Sequence, residues 1–529
     1  MLGHEVRHDG FFARRALRFG GWCGMASVLF SGVALADPDI SDTEKSRNSL
    51  YYVKGTRSLY DATHSPTQPG VPKFVPAPNG GDGPAIVSKN GAHSTLAQPY
   101  LFSLQFSPVE KAGKSLADYG VYFNGWNISQ LNANVGGGYK TGSAYTNWVL
   151  LGLNLDMHRI AGIPGGQVHF IIDDVAGQGR SWEYNASDWS WINTWGNHDG
   201  LQVREFTWDQ ELFNKHLFIL AGRSNPKGGE FEGSELYCQF ATFLCSSPTT
   251  FTIDGSSPSF TVSSWSTRVL IKPTPATYIK GGIWEVEPWV RAKNHNGWPG
   301  PDWGFDKAQG EFIPVEAGYH TDFSTDKYPR AYSLGFTYDT SIYNDPLYNT
   351  SREITALYGG KAQPRRGRTT VYAQAQQMIW KPDPEGTRGL IVFGSANFLT
   401  SGDGTVRNGF VAGLFDWGPF RSRPRDYVGL VFQSYLWNRK VVHAMNASLQ
   451  AEGYHNQWNS TETMMEVNYG LNIAPGVMAT PYFEYIWNPD QLASDRVLPH
   501  VNYAAQVGLM INFEINPGLN LPELHRYRK

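Results

Sequence analysis

The feature that most constrains this chain is the length of its two-faced strands. In VNYAAQVGLMINFE every second residue from Val501 to Phe513 is apolar, while Asn502 to Glu514 between them are small or polar apart from Met510. TMMEVNYGLNI sets Met465, Val467, Tyr469, Leu471 and Ile473 against Glu466, Asn468, Gly470 and Asn472. After the turn APG, MATPYFEYIW places Pro481, Phe483, Tyr485 and Trp487 on one side. NWVLLGLNLDM and GQVHFIIDD alternate in the same way on either side of a Pro- and Gly-containing connection. A period of two is the signature of a strand with unlike faces, and Gly/Pro punctuation marks hairpins.

Two folds make this pattern. In a soluble sandwich the apolar face is the core; in a membrane barrel it meets lipid and the polar face lines a lumen. Strand length decides between them. These runs reach the ~9–11 residues a membrane-crossing strand needs, against the ~5–6 typical of soluble strands. Aromatics recur near the ends of the apolar faces, as at Tyr503, Phe513, Tyr485 and Trp487, where interfacial girdles belong. Composition agrees. Only 17% of residues are charged, 14% are aromatic and 57 are Gly, and a mean hydropathy of -0.37 excludes a bundle of membrane helices. A net charge of -3 argues against a nucleic-acid partner. The expected fold is all-β: a transmembrane antiparallel barrel, closed because lipid leaves no backbone group unpaired without cost. At roughly 25 residues per strand and connection, the region 99–514 holds about 16 strands, with 18 as the upper reading, within the range of outer-membrane barrels. That size leaves an aqueous channel, so a diffusion pore is expected.

The flanks read differently. Arg14, Arg15 and Arg18 precede the apolar stretch to Ala36, and ALA before Asp37 fits a cleavage site, so residues 1–36 are expected to be a signal peptide. Arg14-Arg15 also permits a twin-arginine reading, but a barrel must reach its membrane unfolded, which favours the ordinary export route. HEVRH at His4–His8 matches a zinc-protease pattern but lies ahead of that cleavage site, so no metal is expected. Residues 37–98, rich in Pro and Gly, read as a periplasmic arm or linker, and 515–529 as a short periplasmic extension. Cys238 and Cys245 could close a loop disulfide after export or stand as two thiols. Nothing calls for a cofactor.

Several stretches, in one order from about residue 99 to 513, resemble the carbohydrate-selective (OprB-type) porin family. They are ADYGVYFNGWNISQLNANVGGGYKTGSAYTNWVLLGLNLDM, LAGRSNPKGGEF, RGLIVFGSANF, GLFDWGPFRSRPRDYVGLVF and MEVNYGLNIAPGVMATPYFEYIWNP. The resemblance implies a 16-stranded barrel in the outer membrane of a Gram-negative cell, surrounded by lipid. It implies passive uptake of sugars such as glucose past a constriction of arginines, acids and aromatics. Family members commonly end at the aromatic that the barrel-assembly machinery reads, which by pattern is Phe513. Porins often form homo-oligomers, but no interface signature stands out.

A sugar presents hydroxyls and apolar C–H faces, so a selective pore needs forked donors, carboxylate acceptors and flat rings, binding weakly enough to release. Arg223 is the leading candidate: with Phe218 and Leu220 taken as the opposite face, it turns to the lumen, the alternative being a strand-end Arg that pairs lipid phosphate or a loop carboxylate. On VREFTWDQ, Phe206 and Trp208 suit lipid, which sends Glu205 and Asp209 inward and Arg204 outward. Asp173, Arg180, Trp182 and Glu183 either narrow the pore on a loop after a strand or belong to a solvated external loop. Arg421, Arg423, Arg425 and Asp426 line the wall or form a charged turn. Glu285 and Glu287 in WEVEPW resemble a glycosidase pair, but Pro288 ends the strand there, and PRRGR at 364–368 reads as a solvated turn. The remaining alternatives are a general porin without sugar preference and a secreted Trp-rich β protein that binds or hydrolyses polysaccharide.

Overall fold

Sixteen antiparallel strands close into one barrel in the computed structural model of the chain, each paired with its sequence neighbours and the last returning to the first. The structure describes residues 107–177, 184, 201–226, 231, 234–241, 263–287, 303–384, 386–455, 457–489 and 501–524. The expected signal peptide, the arm at 37–98, HEVRH, Arg180, Trp182, Glu183 and Cys245 lie outside them.

The strands are β1 Val121–Gly137, β2 Gly142–Asp156, β3 Gly166–Gly177, β4 Gln202–Leu212, β5 Leu217–Ser224, β6 Ser264–Thr274, β7 Thr277–Val286 and β8 Gly310–His320. Then follow β9 Arg330–Asn349, β10 Ala362–Trp380, β11 Gly389–Ser401, β12 Val406–Trp417, β13 Tyr427–Trp437, β14 Thr461–Ala474, β15 Val477–Trp487 and β16 Tyr503–Glu514. The short helices are α1 Ser107–Asp118, α2 Met157–Ala161, α3 Thr355–Tyr358, α4 Arg439–Ala451 and α5 Ile515–Leu519. Connections that follow even-numbered strands are mostly short, as from Leu212 to Leu217 and Ala474 to Val477. Those that follow odd-numbered strands include the long ones, as from Ser224 to Ser264 and Trp437 to Thr461. Long loops mark the extracellular end of an outer-membrane barrel and short turns the periplasmic end.

Burial is inverted relative to a soluble protein. Phe336, Phe410, Phe432, Val467, Phe483 and Val507 are exposed on the outside, while Gln130, Asn154, Glu466, Glu484 and Gln506 are buried on the inside. Lipid explains this, because apolar side chains there lose nothing by facing out. The alternation read from β2, β3, β14, β15 and β16 holds face by face. The seam runs from Trp126↔Glu514 to Gly137↔Ala504, with one shift between Asn134 and Gly136. A slip of one residue there would put Gln506 and Asn512 into lipid.

A repeated device stiffens the wall. Tyr482 on β15 pairs directly with Gly508 on β16. A Cβ at Gly508 would collide with the Tyr482 ring, so the ring crosses that strand and accepts a 2.9 Å hydrogen bond from Gln130 Nε2 on β1. Tyr427 crosses Gly470 toward Thr480 on β15 in the same way, 3.2 Å from its hydroxyl. Tyr372 crosses Gly335 to donate to Glu316 on β8, and Tyr278 covers Gly318. An aromatic lying over a cross-strand glycine restores the packing that glycine lacks.

Two segments depart from the expectations. Ser107–Asp118, inside the region expected to be strand, forms α1, since SPVEKAGKSLAD has no period of two and carries the Glu110–Lys114 pair one turn apart. PRRGR is not a solvated turn. It lies in β10, where Arg365 pairs with Tyr343 and Arg368 with Asp339 around the left-handed Gly367. The hairpin is long, with 20 residues in β9 and 19 in β10, so ion pairs Arg365–Asp345 and Arg368–Asp339 brace it. Within the expected extension, Ile515–Leu519 forms α5 beside α1. Asn516 Nδ2 donates to the Phe123 carbonyl at 2.8 Å and Asn520 Nδ2 to Glu110 Oε1 at 2.8 Å.

Candidate functional site

The connection between β5 and β6 enters the bore. Its described part, Ser234–Ala241, carries a 3-10 turn at Glu235–Gln239, with Ser234 Oγ accepting from the Leu236 amide. Phe240 lies 5.7 Å from Phe393 on β11 and 6.5 Å from Phe415 on β12. The Gln239 carbonyl accepts from Tyr427 on β13 at 3.2 Å and from Asn468 on β14 at 2.8 Å. Glu466 Oε1 accepts the Ala241 amide at 3.0 Å. In a ring of sixteen, β13 and β14 stand eight strands from β5 and β6, which is diametrically opposite. The segment therefore spans the lumen and is fixed to the far wall through its backbone. Cys238, at its centre, is disulfide-bonded.

Near the segment's root, Phe231 is fully buried against Trp284 and beneath Lys280, whose ammonium lies 4.7 Å over the ring. Lys280 pairs with Glu316 at 3.0 Å, and Glu316 also accepts from Tyr278 at 2.7 Å and Tyr372 at 2.8 Å. This carboxylate thus meets a cation and two phenols in one buried node.

A second polar patch lies on β2–β4. Asp173 Oδ2 accepts from Trp148 Nε1 at 3.2 Å and stands 3.8 Å from Arg204, whose guanidinium lies 5.7 Å over the Trp148 ring. Thr207 donates to Glu205 at 2.9 Å, and Asp209 lies 3.8 Å from His169. The structure therefore brings Asp173, Glu205 and Asp209 onto one stretch of lumen wall. Arg204, expected outward, joins them. The β3–β4 register shifts between Ile171 and Ile172, so Arg204 is the extra residue of a bulge and is turned inward.

Arg223 goes the other way. Phe218 and Leu220 face the lumen, packing with Leu270 and Tyr278, so Arg223 shares the outward face of Ile219 and Ala221. Its strand partners Phe206 and Trp265 are on that face too. It is fully buried there, 5.2 Å under Trp303 and 5.9 Å from Trp265. Arg421, Arg423, Arg425 and Asp426 sit between β12 and β13, at the short-turn end. Arg423 clamps Asp426 at 2.7 and 2.9 Å, Tyr469 donates to the same carboxylate at 2.6 Å, and Arg421 is exposed. Glu285 is the penultimate residue of β7 and Glu287 follows the strand, both buried.

At the other mouth α4 packs Val441 and Leu449 into the cluster that holds Trp126, Trp148 and Trp458. Lys440 ties it to Asp345 on β9 at 2.9 Å and to Asp403 at 2.7 Å. Burial disfavours the Lys440 ammonium, but these two carboxylates outweigh that and hold its pKa above the ordinary lysine value.

A closed sixteen-stranded barrel, apolar outside, polar inside and crossed by a tethered segment, is a bacterial outer-membrane porin. Comparison with known proteins makes the family specific. The description "Carbohydrate-selective porin, OprB family" matches residues 140–514, and the chain belongs to that family. It is 24% identical over 378 residues to Porin B of Pseudomonas aeruginosa, covering 68% of this chain and 82% of that protein. It is likewise 24% identical over 397 residues to the putative porin QuiX of Acinetobacter baylyi, covering 71% and 86%. The solved high-pH structure of Pseudomonas putida OprB superimposes with a TM-score of 0.67 at 22% identity, over 76% of this chain and 96% of that one, which establishes the shared fold. The protein is a sugar channel of the Gram-negative outer membrane.

Proposed function

We propose that the channel passes glucose and related sugars passively, and that Trp148, Asp173, Arg204 and Glu205 form the contact that orients them. The observation that carries this reading is the meeting of a ring, a forked donor and two carboxylates on one lumen patch. The Trp148 ring, fully buried under the guanidinium, sets the fork in place, and a sugar's hydroxyls fit the fork and the acceptors. The fold and family are those of channels. The same reading places outer-membrane lipid around the apolar band and has the assembly machinery recognise the strand that ends at Phe513.

Liposome swelling tests it. Glucose is expected to enter faster than an amino acid of similar size; equal rates would leave a general porin in its place. Arg204→Ala is expected to raise the half-saturation for glucose ~10–100-fold, the loss of about one charge-assisted hydrogen bond, with the amino-acid rate unchanged. An unaltered half-saturation would remove Arg204 from the contact.

A further inference from the structure

The outer rim holds a basic cavity that sugar passage does not use. The β12–β13 pairing runs Val406↔Trp437 and then Asn408↔Leu436, so Arg407 is an extra residue in the ladder. Such a bulge re-aims the side chain it carries, and Arg407 is exposed although Val406 beside it is fully buried. The helix α4 follows β13 directly. It buries Val441, Ala444 and Leu449, and Arg439, His443 and Asn446 recur at helical spacing away from that buried set. Arg439 and His443 are exposed. The bulge and the helix enclose a cavity of about 410 Å³ lined by Arg407, Arg439, His443, Asn446 and Ser460, with Leu436 and Val442 as apolar walls.

Three facts define the occupant. The lining carries two arginines and no carboxylate, and among the described residues neither guanidinium has an ion-pair partner. Paired guanidiniums with amide and hydroxyl groups suit a phosphate, which their forks bind bidentately. The height is also fixed. Along β12 and β13 the next large outward side chains are Phe410 and Phe432, each 43% exposed on the lipid-facing band. The cavity lies just beyond that band, at the end with the long connections, which is where outer-leaflet headgroups stand. Leu436, partly exposed on the same outward face, continues the apolar surface up to its edge.

We infer that Arg407 and Arg439 form a binding site for the phosphomonoester of a phosphorylated outer-leaflet glycolipid such as lipid A. The bulge supplies one guanidinium from the wall and the helix supplies the other from above, so the lipid would be held at the junction of barrel and loop. A soluble phosphate has the same head chemistry but no use for the adjoining apolar band.

Native mass spectrometry of the detergent-purified full chain decides this, with diphosphoryl lipid A, its dephosphorylated form and inorganic phosphate as probes. The intact chain is expected to bind diphosphoryl lipid A at least ~tenfold more tightly than Arg407→Gln/Arg439→Gln does, from the loss of charge-assisted hydrogen bonds. It is expected to prefer it by a similar factor over the dephosphorylated lipid, and millimolar inorganic phosphate should not displace it. Equal binding by the double variant, or equal binding of the dephosphorylated lipid, would overturn the site. Displacement by inorganic phosphate would make it a site for soluble anions and overturn the lipid assignment. The gel shift between unheated and boiled samples reports folding. If the double variant does not fold, Arg439→Gln alone, on an exposed helix position, is expected to weaken lipid A binding ~threefold or more, and no weakening would again overturn the site.

Discussion

Two arcs of the lumen wall use the same stitch and finish it differently. In the arc from β7 to β10, Tyr278 and Tyr372 lie over glycines and both end on Glu316, which is paired with Lys280. Beside them Arg368 pairs with Asp339 at 2.7 Å. In the arc from β13 through β16 to β1, Tyr427 and Tyr482 lie over glycines and end on Thr480 and Gln130. That arc has buried Glu462, Glu466 and Glu484, yet its five strands contain no lysine or arginine at all. One wall carries compensated charge within its own strands, and the crossing phenols of the other end on neutral partners. The crossing segment is held between them: its root at Phe231 sits under the Lys280 cation, and its far end gives an amide to Glu466 and takes donors on the Gln239 carbonyl. The mechanical element of the pore is thus fixed by two kinds of bond, which should fail by different amounts.

The largest difference should appear at Glu316. Glu316→Leu takes away the acceptor of two phenols and leaves Lys280 buried beside an alkyl group. Removing one member of a buried pair costs ~3–5 kcal/mol. The barrel should therefore lose its unheated gel mobility at a clearly lower temperature and denaturant concentration. Thr480→Val on the other arc, which removes only the neutral hydroxyl beside Tyr427, should cost less, ~0.5–1.5 kcal/mol. Equal shifts for the two would mean that the charge pair is not what distinguishes the arcs.

How these arcs stand to each other could be read only in part from sequence. The faces of β2, β3 and β14–β16 follow from alternation, because each has one apolar and one polar side. β5 defeats the same reasoning. Leu217 and Ile219 are apolar outward for lipid, while Phe218 and Leu220 are apolar inward against Leu270 and Tyr278. Parity then fixes which residues share a face but not which face it is, and Arg223 falls on the lipid side. Arg204 is lost to sequence for another reason: a bulge is a property of a pair of strands, and β4 alone does not show where β3 shifts. The crossing segment is the hardest case. Its anchors at Glu466 and Asn468 lie 225 and 229 residues from the groups they bind, so no local pattern announces them. One signal was available. Strands β13–β16 and β1 lack every basic residue, and that absence marks an acceptor wall before any coordinates are known.

A smaller effect tests the stitch itself. Gly508→Val puts two methyl groups where the Tyr482 ring crosses β16. Overpacking of this kind costs ~1–3 kcal/mol, read as a lowered midpoint of unfolding, and it should move Tyr482 away from Gln130. Gly335→Val displaces Tyr372 from Glu316 in the other arc and should cost more, because the lost acceptor there is also the partner of Lys280. If the Gly335 variant proves the milder, the ion pair tolerates loss of its phenol and the arcs are mechanically alike.

The smallest expected effect is also the cleanest. Tyr482→Phe keeps the ring over Gly508 and removes only the hydroxyl that accepts from Gln130. A neutral hydrogen bond is worth ~0.5–1.5 kcal/mol net, so the unfolding midpoint should fall slightly with the pore unchanged. Tyr372→Phe removes a hydroxyl that donates to the Glu316 carboxylate, and hydrogen bonds to charged groups are worth ~1.5–3 kcal/mol. The two substitutions delete the same atom from the same motif, so their difference isolates what the charge contributes. A Tyr482→Phe loss as large as the Tyr372→Phe loss would show that the closure seam between β16 and β1, and not the buried ion pair, is where the barrel is most easily opened.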